Sequence, residues 1–270
     1  MVKKEDENDI EDTAAPLMEH LAELRKRLIR CMLAFIVGMI ISFTVATKIF
    51  NFLATPITKM LIDNGQSPDL IFTGLQQGFM VNIRISLFGG LILAFPIISH
   101  QLWKFVAPGL YKKEKNAFLP FIISSPILFI IGASFAFYVV MPLAFDFFLG
   151  FQQEKTENVL DAVGVTYLGT INEYLSLTMK FIIAFGLCFQ LPVLLTLMGK
   201  AGLVSSEGLI NIRKYAIVGI LILAAIVTPP DVVTQIILFV VVYSLYEVSI
   251  FLVKRVEKKR ELDETLEDNI

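Results

Sequence analysis

Two carboxylates stand among clustered basic residues, and this combination suits the binding of cationic groups. Glu23 precedes a run of cations within residues 25–30, and Glu114 lies between Lys113 and Lys115. A carboxylate can bind the planar guanidinium of arginine through two parallel hydrogen bonds, whereas the ammonium of lysine acts as a compact point charge. The two positions therefore predict the two halves of a docking site for a basic peptide.

Each carboxylate also has a simpler explanation. Glu23 and Arg27 are four residues apart, so on a helix they can form an ion pair worth roughly 0.2–0.5 kcal/mol. Glu114 can simply neutralise the neighbouring lysines. From these two segments alone the simpler explanations are favoured, and further motifs are needed to decide.

The sequence lacks the residue patterns that support catalysis or a bound metal. His20 and His100 have no acid or nucleophile at a useful spacing, and no Gly-x-Ser-x-Gly, His-Glu-x-x-His or phosphate-binding loop is present. Cys31 and Cys188 lie inside apolar runs, which argues against a disulfide and against zinc. We expect a protein that binds or transports, without enzymatic activity, cofactor or metal.

Membrane helices must position these residues. The chain of 270 residues is 56% hydrophobic and 18% charged, and its mean hydropathy is +0.71. Its apolar residues fall in blocks long enough to cross a bilayer, which favours helices over a β-barrel. The sequence predicts an all-α polytopic membrane protein with six transmembrane helices, which comprise residues 31–47, 79–103, 116–145, 174–198, 215–227 and 232–253.

The distribution of basic residues predicts the orientation of these spans. Of the 23 lysines and arginines, only Lys48, Lys59, Arg84, Lys155 and Lys180 fall in spans or in predicted external segments. Short loops rich in lysine and arginine remain in the cytoplasm. Both termini are therefore predicted to be cytoplasmic. The chain divides into a disordered acidic tail (1–16), a six-span domain (17–253) and a charged cytoplasmic tail (254–270).

The last two spans are predicted to be short. Residues 215–227 reach roughly 20 Å and residues 232–246 roughly 22 Å before Glu247 interrupts them, against a hydrocarbon core of about 30 Å. We expect the turn at residues 228–231 to lie below the external bilayer surface, unless both helices extend by a turn into their flanks. Partner subunits are expected to dock beside these spans, where the bilayer is thinned.

Four segments carry a resemblance to a known family. They are residues 20–28 (His-Leu-Ala-Glu-Leu-Arg-Lys-Arg-Leu), residues 103–114 (Trp-Lys-Phe-Val-Ala-Pro-Gly-Leu-Tyr-Lys-Lys-Glu), residues 184–186 (Ala-Phe-Gly) followed by Leu-Pro at 191–192, and residues 228–231 (Thr-Pro-Pro-Asp). In this order and spacing they resemble the TatC family, the receptor subunit of the twin-arginine protein translocase. The similarity covers residues 17–253.

The resemblance implies a role for the two carboxylates and for the loop that holds one of them. In that family two cytoplasmic glutamates recognise the paired arginines of an export signal, and the matching positions are Glu23 and Glu114. This reverses the preference for simple ion pairs. Further loop residues are expected to give the signal peptide an apolar ledge, although aromatic side chains also anchor at membrane interfaces. They are Phe105, Pro108, Leu110 and Tyr111.

Two polar residues outside this loop are further candidates. Gln190 lies inside span 4, where many relatives carry an acidic residue. Its amide argues against a proton relay but can bond to a partner helix or to the signal peptide. Asp231 directly precedes the last span, where it can cap the helix N-terminus. For this turn the resemblance adds a role in communication with partner subunits.

The resemblance also implies partners and an energy source. The partners are twin-arginine signal peptides of folded precursor proteins, single-span subunits of the TatA and TatB type, further copies of the chain in a receptor complex, and the lipid bilayer, with no nucleic acid. Energy comes from the proton-motive force rather than from a nucleotide. The location is the bacterial inner membrane.

A six-span secondary transporter for a small solute is the alternative function. Such a protein typically has internal repeats and charges clustered near the middle of the membrane. The sequence shows no repeat, and only Lys180 and Gln190 lie deep in a span. Solute uptake by the reconstituted protein without any signal peptide would support this alternative.

Overall fold

The computed structural model describes residues 5–106, 119–152 and 167–267, and their regular structure is almost entirely helical. An isolated parallel bridge joins Ile71 and Thr170. The predicted all-α class is confirmed. The helices are α1 (Glu5–Thr44), α2 (Ala46–Asp63), α3 (Gln77–Val106), α4 (Leu119–Phe135), a π-helical segment (Ala136–Val140), α5 (Met141–Leu149), α6 (Ile171–Cys188), α7 (Leu191–Lys200), α8 (Ser206–Asn211), α9 (Arg213–Val227) and α10 (Val232–Glu267).

Among the described residues, five helical stretches are long and apolar enough to cross a membrane, as a multi-pass membrane protein requires. They comprise residues 21–44 of α1, 77–105 of α3, 120–149 of α4 and α5, 171–200 of α6 and α7, and 232–260 of α10. The sixth predicted span corresponds to α9, whose 15 residues reach roughly 22 Å. The count of six depends on this short helix crossing the membrane.

The N-terminal helix begins earlier than the sequence predicts. Residues 1–16 are predicted to be disordered, yet α1 already starts at Glu5, so the described part of this segment is helical. The helix therefore runs without a break from the acidic segment into the first span.

The apolar run of the last span is predicted to be interrupted at Glu247, but α10 continues through this residue as far as Glu267. Glu247 is paired with Arg213 of α9. Apart from Ser244, the exposed residues on the free face of α10 are apolar as far as Phe251. The predicted shortness therefore applies to α9 and not to α10.

α1 packs mainly along α3 in antiparallel orientation, and small residues let the two helices approach closely. A Cβ atom added to Gly38 would lie 2.9 Å from the carbonyl oxygen of Gly90, and one added to Gly90 would lie 2.7 Å from the backbone nitrogen of Met39. Ser42, one turn along α1, meets Gly89. Such small residues are typical of close helix packing in membranes. We call Gly38, Ser42, Gly89 and Gly90 the glycine seam.

The third and fourth predicted spans are each interrupted before a proline. Pro142 lies at the start of α5, and the π-helical segment precedes it. Pro192 lies at the start of α7, and Phe189 and Gln190 form a turn before it. Proline lacks a backbone N–H and its ring crowds the preceding turn, which favours a kink or a break at these two positions. The sequence predicts spans 3 and 4 without locating either interruption.

Aromatic side chains and glycines hold α4 against its neighbours. The rings of Phe95 and Phe129 stack with their centroids 3.8 Å apart. A Cβ atom added to Gly186 would lie 2.6 Å from the ring of Phe129, and one added to Gly132 would lie 2.6 Å from the carbonyl oxygen of Phe185. Phe185 itself is fully buried. Close packing of α6 against α4 therefore explains why a buried Phe185 is followed by a residue without a side chain at Gly186.

The start of α6 is tied to the middle of α2. The buried hydroxyl of Tyr174 donates to the carbonyl oxygen of Leu53. Burial raises the pKa of the nearby Tyr167 phenol above its ordinary value, and the negative charge of Glu173 adds to this rise. The segment between the first two long spans therefore contains a helix, α2, that packs against the start of α6.

Candidate functional site

The glycine seam fixes the register between α1 and α3 and thereby the position of Glu23. Gly38 of α1 contacts Gly90 of α3. Glu23 lies 15 residues before Gly38, and Phe105 lies 15 residues after Gly90. Since each helical residue advances the chain by about 1.5 Å, Glu23 is level with Phe105, next to the end of α3.

Glu23 forms an ion pair within α1 and remains accessible. The Nε atom of Arg27 donates to Oε1 of Glu23 over 3.1 Å, and a second guanidinium nitrogen donates to the same oxygen. The side chain of Glu23 is 40% exposed, whereas that of Arg27 is 13% exposed. The simpler explanation for Glu23 is thus present in the structure, and the carboxylate is the more accessible partner.

Trp103 anchors the end of α3 from which the predicted binding loop departs. It is buried and packs with Val193 and Leu197 of α7 and with Phe121 of α4. A buried aromatic side chain at this point fixes the end of α3 against α4 and α7. The sequence reasoning included Trp103 only as part of a motif and missed this role, although an isolated Trp at the end of an apolar run is a signal for an anchor.

Of the residues predicted to form the apolar ledge, the structure describes only Phe105. Phe105 is half-buried near the end of α3. Pro108, Leu110, Tyr111 and Glu114 lie outside the described residues. The structure brings Glu23 to the end of α3, and the pairing of Glu23 with Glu114 stays a prediction.

Gln190 lies at the break between α6 and α7 and bonds to α4. Its Nε2 atom donates to the carbonyl oxygen of Ser125 over 2.9 Å, and the Ser125 hydroxyl donates to its Oε1 atom over 2.5 Å. Both ends of the amide are therefore used within the chain. A role of Gln190 toward a partner or the signal peptide stays a prediction. The sequence analysis did not identify Ser125 as the partner of Gln190. The one feature that could have indicated it is the presence of a small polar residue inside an apolar run.

Asp231 caps the N-terminus of α10. Its Oδ1 atom accepts a hydrogen bond from the backbone N–H of Thr234 over 2.7 Å, and its Oδ2 atom accepts one from the Thr234 hydroxyl. Thr234 is the third residue of the helix, so this is the geometry of a helix N-cap. The capping role is present, and a role in communication with partners stays a prediction.

A second ion pair, which sequence reasoning missed, joins α9 to α10. A guanidinium nitrogen of Arg213 donates to Oε2 of Glu247 over 2.7 Å. An ionised group on a membrane helix is stabilised by such a partner. The sequence does contain a signal for this pair. Arg213 and Glu247 are charged residues next to or within apolar runs, and these two runs are consecutive predicted spans that must be antiparallel.

These groups suit ionic and hydrogen-bonded recognition. In the three described ranges, no three His, Cys, Asp or Glu side chains lie close enough together to hold a metal ion. The available groups are the carboxylate of Glu23, the guanidinium of Arg27, the amide of Gln190 and the Arg213–Glu247 pair. Of these, the Glu23–Arg27 pair lies level with the end of α3, which precedes the segment that contains Glu114.

A protein-family sequence model matches residues 19–240. This match includes Glu23, the end of α3, the Gln190–Ser125 bonds and the Asp231 cap. The family is described as Sec-independent protein translocase protein (TatC). This chain belongs to the TatC family. The resemblance inferred from the four sequence segments is confirmed.

Individual TatC relatives match over nearly their full length. The Sec-independent protein translocase protein TatC of Magnetococcus marinus is 46% identical over 260 residues, which cover 96% of this chain and 91% of the relative. That of Escherichia coli K12 is 38% identical over 242 residues, covering 90% and 89%. A crystal structure of the twin-arginine translocase receptor TatC superposes with a TM-score of 0.75 at 39% identity, covering 88% of this chain and 99% of that one.

Membership of the TatC family decides between the classes of function. The family consists of components of a Sec-independent protein translocase. The chain therefore belongs to a protein-transport family and not to a family of enzymes. A secondary transporter for small solutes is a different class of membrane protein, and the family match removes the support for that alternative.

Proposed function

We propose that this chain is the receptor of a twin-arginine translocase and binds the Arg-Arg signal peptides of folded precursor proteins at its cytoplasmic face. One observation carries the proposal: the glycine seam sets Glu23 level with the end of α3, from which the segment containing Glu114 departs. Two carboxylates at this end can each accept a guanidinium bidentately, which distinguishes arginine from lysine. The related crystal structure of a twin-arginine translocase receptor supports the same assignment.

Arg27 orients the Glu23 carboxylate, and an arginine of the signal peptide can replace Arg27 as its partner. The ion pair within α1 orients the Glu23 carboxylate, and such a pair contributes only about 0.2–0.5 kcal/mol on an exposed helix. An arginine of the signal peptide that engages both carboxylate oxygens makes a stronger contact. It can therefore share or replace Arg27 at little cost.

The proposed orientation places both termini in the cytoplasm of a bacterial cell, with the six spans in the inner membrane. α1 carries Arg25, Lys26 and Arg30 at the same end as Glu23, and α10 extends at that end into a helix rich in lysine and arginine. Basic residues concentrated at one end of the spans favour the cytoplasmic side for that end. Glu23 then faces precursors before export.

Single-span partners of the TatA and TatB type are proposed to dock beside α9. This helix buries Ile220 and Ala224, whereas Val218, Ile222 and Ile226 are exposed. A short apolar helix deforms the bilayer around it, and covering its exposed face with a partner helix relieves that mismatch. Further copies of the chain complete the receptor complex, and the proton-motive force drives transport.

Site-specific crosslinking tests the receptor role. Photo-crosslinking residues at positions 23 and 114 are expected to capture the Arg-Arg segment of a twin-arginine precursor. Because a hydrogen bond to a charged group contributes about 1.5–3 kcal/mol, Glu23→Gln or Glu114→Gln is expected to weaken precursor binding roughly tenfold to a hundredfold. Raised salt is expected to weaken binding as well, since these charges are accessible.

The exposed Glu207 of α8 offers a matched control. Glu207→Gln makes the same change of charge at the same end of the molecule, away from α1 and α3, and is expected to leave capture unchanged. A precursor whose arginine pair is replaced by two lysines is expected to escape capture by the unmodified protein. Normal capture and export in the Glu23→Gln/Glu114→Gln double variant would contradict the receptor assignment.

A further inference from the structure

α10 presents one exposed apolar stripe along its length. Ile236, Val240, Val248 and Phe251 are exposed, and Ser244 fills the gap between the second and third of them. Their spacing of three or four residues is that of a single helix face. The described helices leave this face uncovered, so in a bilayer it lies against lipid chains.

The stripe ends in basic residues at the depth of the lipid headgroups. Residues 232–251 of α10 span roughly 30 Å, which is the thickness of the hydrocarbon core. The next exposed residues on this face are Arg255 and Lys258, with Lys254 beside them. The guanidinium carbon of Arg255 lies 5.2 Å from the centroid of the Phe251 ring. An aromatic ring and a cation therefore meet where the apolar face ends.

The described carboxylates near this end of the stripe already have partners. Glu247 pairs with Arg213 of α9. Glu257 is engaged elsewhere, because its carboxylate accepts the backbone N–H of Ser206 over 2.9 Å. Cations therefore outnumber the described carboxylates at this end.

We propose that Lys254, Arg255 and Lys258, here called the basic cluster, bind the headgroup phosphate of an anionic phospholipid whose acyl chains lie along the stripe of α10. Arg255 supplies a planar fork that fits phosphate, and the lysines supply point charges. Basic residues directly beyond the apolar part of a transmembrane helix suit anionic headgroups in this way. Only the leaflet assigned to this lipid, the cytoplasmic one, rests on the orientation proposed for the receptor.

Lipid fits the basic cluster better than an acidic peptide does. The cluster is continuous with an apolar face as long as the hydrocarbon core is thick, and a phospholipid covers both features at once. A peptide would cover the charges and leave the stripe bare. Orientation in the membrane requires basic residues at this end, but it does not require them to share the lipid-exposed face or to place a guanidinium against the ring of Phe251.

Native mass spectrometry of the whole purified chain in a neutral detergent tests the proposal. Titrated phosphatidylglycerol is expected to bind to the unmodified protein more tightly than phosphatidylcholine. Removing three cations in Lys254→Gln/Arg255→Gln/Lys258→Gln is expected to weaken phosphatidylglycerol binding on the order of a hundredfold, from about 1 kcal/mol per cation. The assay contains no signal peptide, so its outcome is independent of the receptor assignment.

α1 offers a matched control with three exposed cations at the same end. Arg25→Gln/Lys26→Gln/Arg30→Gln removes the same charge with nearly the same spacing and is expected to retain tight phosphatidylglycerol binding. Equal thermal midpoints of both triple variants without lipid show that each is folded. Unchanged lipid binding in the α10 variant, or an equal loss in both variants, overturns the proposal. Equal binding of phosphatidylglycerol and phosphatidylcholine to the unmodified protein overturns it too.

Discussion

Gln190 carries an amide whose donor and acceptor are both satisfied by one residue of a neighbouring helix. The two bonds to Ser125 link α4 to the break between α6 and α7. A carboxylate at this position could accept a hydrogen bond from the Ser125 hydroxyl. It would have no N–H to donate to the Ser125 carbonyl oxygen. The amide therefore makes the break between α6 and α7 part of the packing against α4.

A double-mutant cycle of Gln190→Leu and Ser125→Ala is expected to show that the two side chains stabilise each other. Hydrogen bonds between membrane helices contribute about 0.6 kcal/mol on average and up to about 1.7 kcal/mol, and a coupling free energy of this size is expected. Reversible unfolding in mixed micelles measures it. Strictly additive effects of the two substitutions would show that the bond from the Ser125 hydroxyl to the Gln190 amide oxygen does not contribute to stability.

The same two variants separate an internal role of Gln190 from a role toward partners. An internal role predicts that Ser125→Ala and Gln190→Leu change stability and transport in parallel. Contact with a partner helix predicts that Gln190→Leu weakens partner association while Ser125→Ala does not. Co-purification of single-span subunits with each variant distinguishes these outcomes.

Residue contacts were predictable from the sequence only where the partners are close in the chain. The Glu23–Arg27 pair and the Asp231 cap join residues three or four positions apart, so helix periodicity alone predicts them. The Gln190–Ser125 and Arg213–Glu247 contacts join residues 65 and 34 positions apart. They depend on which helix faces pack together, and local periodicity does not determine that.

At the scale of elements, the glycine seam makes a sharp prediction for α1 and α3. Gly90→Ala introduces a Cβ atom 2.7 Å from a backbone atom of Met39, which side-chain movement cannot relieve. Overpacking of this kind costs typically 1–3 kcal/mol, and α1 is expected to shift along α3. Unfolding measurements and crosslinking from position 23 are expected to show lower stability and poorer precursor capture.

Gly219 of α9 serves as the control for this substitution. A Cβ atom added there meets no atom within 4 Å, and alanine has a helix propensity about 1 kcal/mol better than glycine. Gly219→Ala is therefore expected to be neutral or stabilising. Equal effects of Gly90→Ala and Gly219→Ala would show that the seam does not limit the approach of α1 to α3.

The sequence predicted the membrane helices better than their interruptions. Blocks of apolar residues identify a span directly, because length and composition suffice. The π-helical segment and the turn at Phe189 and Gln190 precede Pro142 and Pro192, yet Pro96 and Pro126 lie inside helices that continue. Whether a proline interrupts a span depends on tertiary packing, which a single sequence does not show.

For the whole molecule, in the orientation proposed above, the length of α10 moves the expected membrane mismatch to the other end of α9. The apolar face of α10 is as long as the hydrocarbon core is thick, so we expect the turn before Val232 at the external boundary. α9 starts level with Glu247, about 12 Å short of Arg255 along α10. We therefore expect the missing length of α9 at its cytoplasmic end.

Spin labels can locate this mismatch in a variant that lacks Cys31 and Cys188. A label at Val232 is expected at the same depth as one at Phe79, near the external end of α3. A label at Ile212 is expected roughly 12 Å deeper in the bilayer than one at Arg255. If the label at Val232 lies well below that at Phe79, the external turn is recessed, as the span lengths alone suggest.

The close packing of α1 on α3 also bears on biosynthesis. α1 makes few contacts with any other long helix, and the pair lies within the first 106 residues. Chains emerge from the ribosome N-terminus first and fold in that order, and the short connection through α2 makes loop closure inexpensive in entropy. The first hairpin can therefore assemble before α4 is synthesised, so the Glu23 side of the receptor is in place when the later helices insert against the other face of α3.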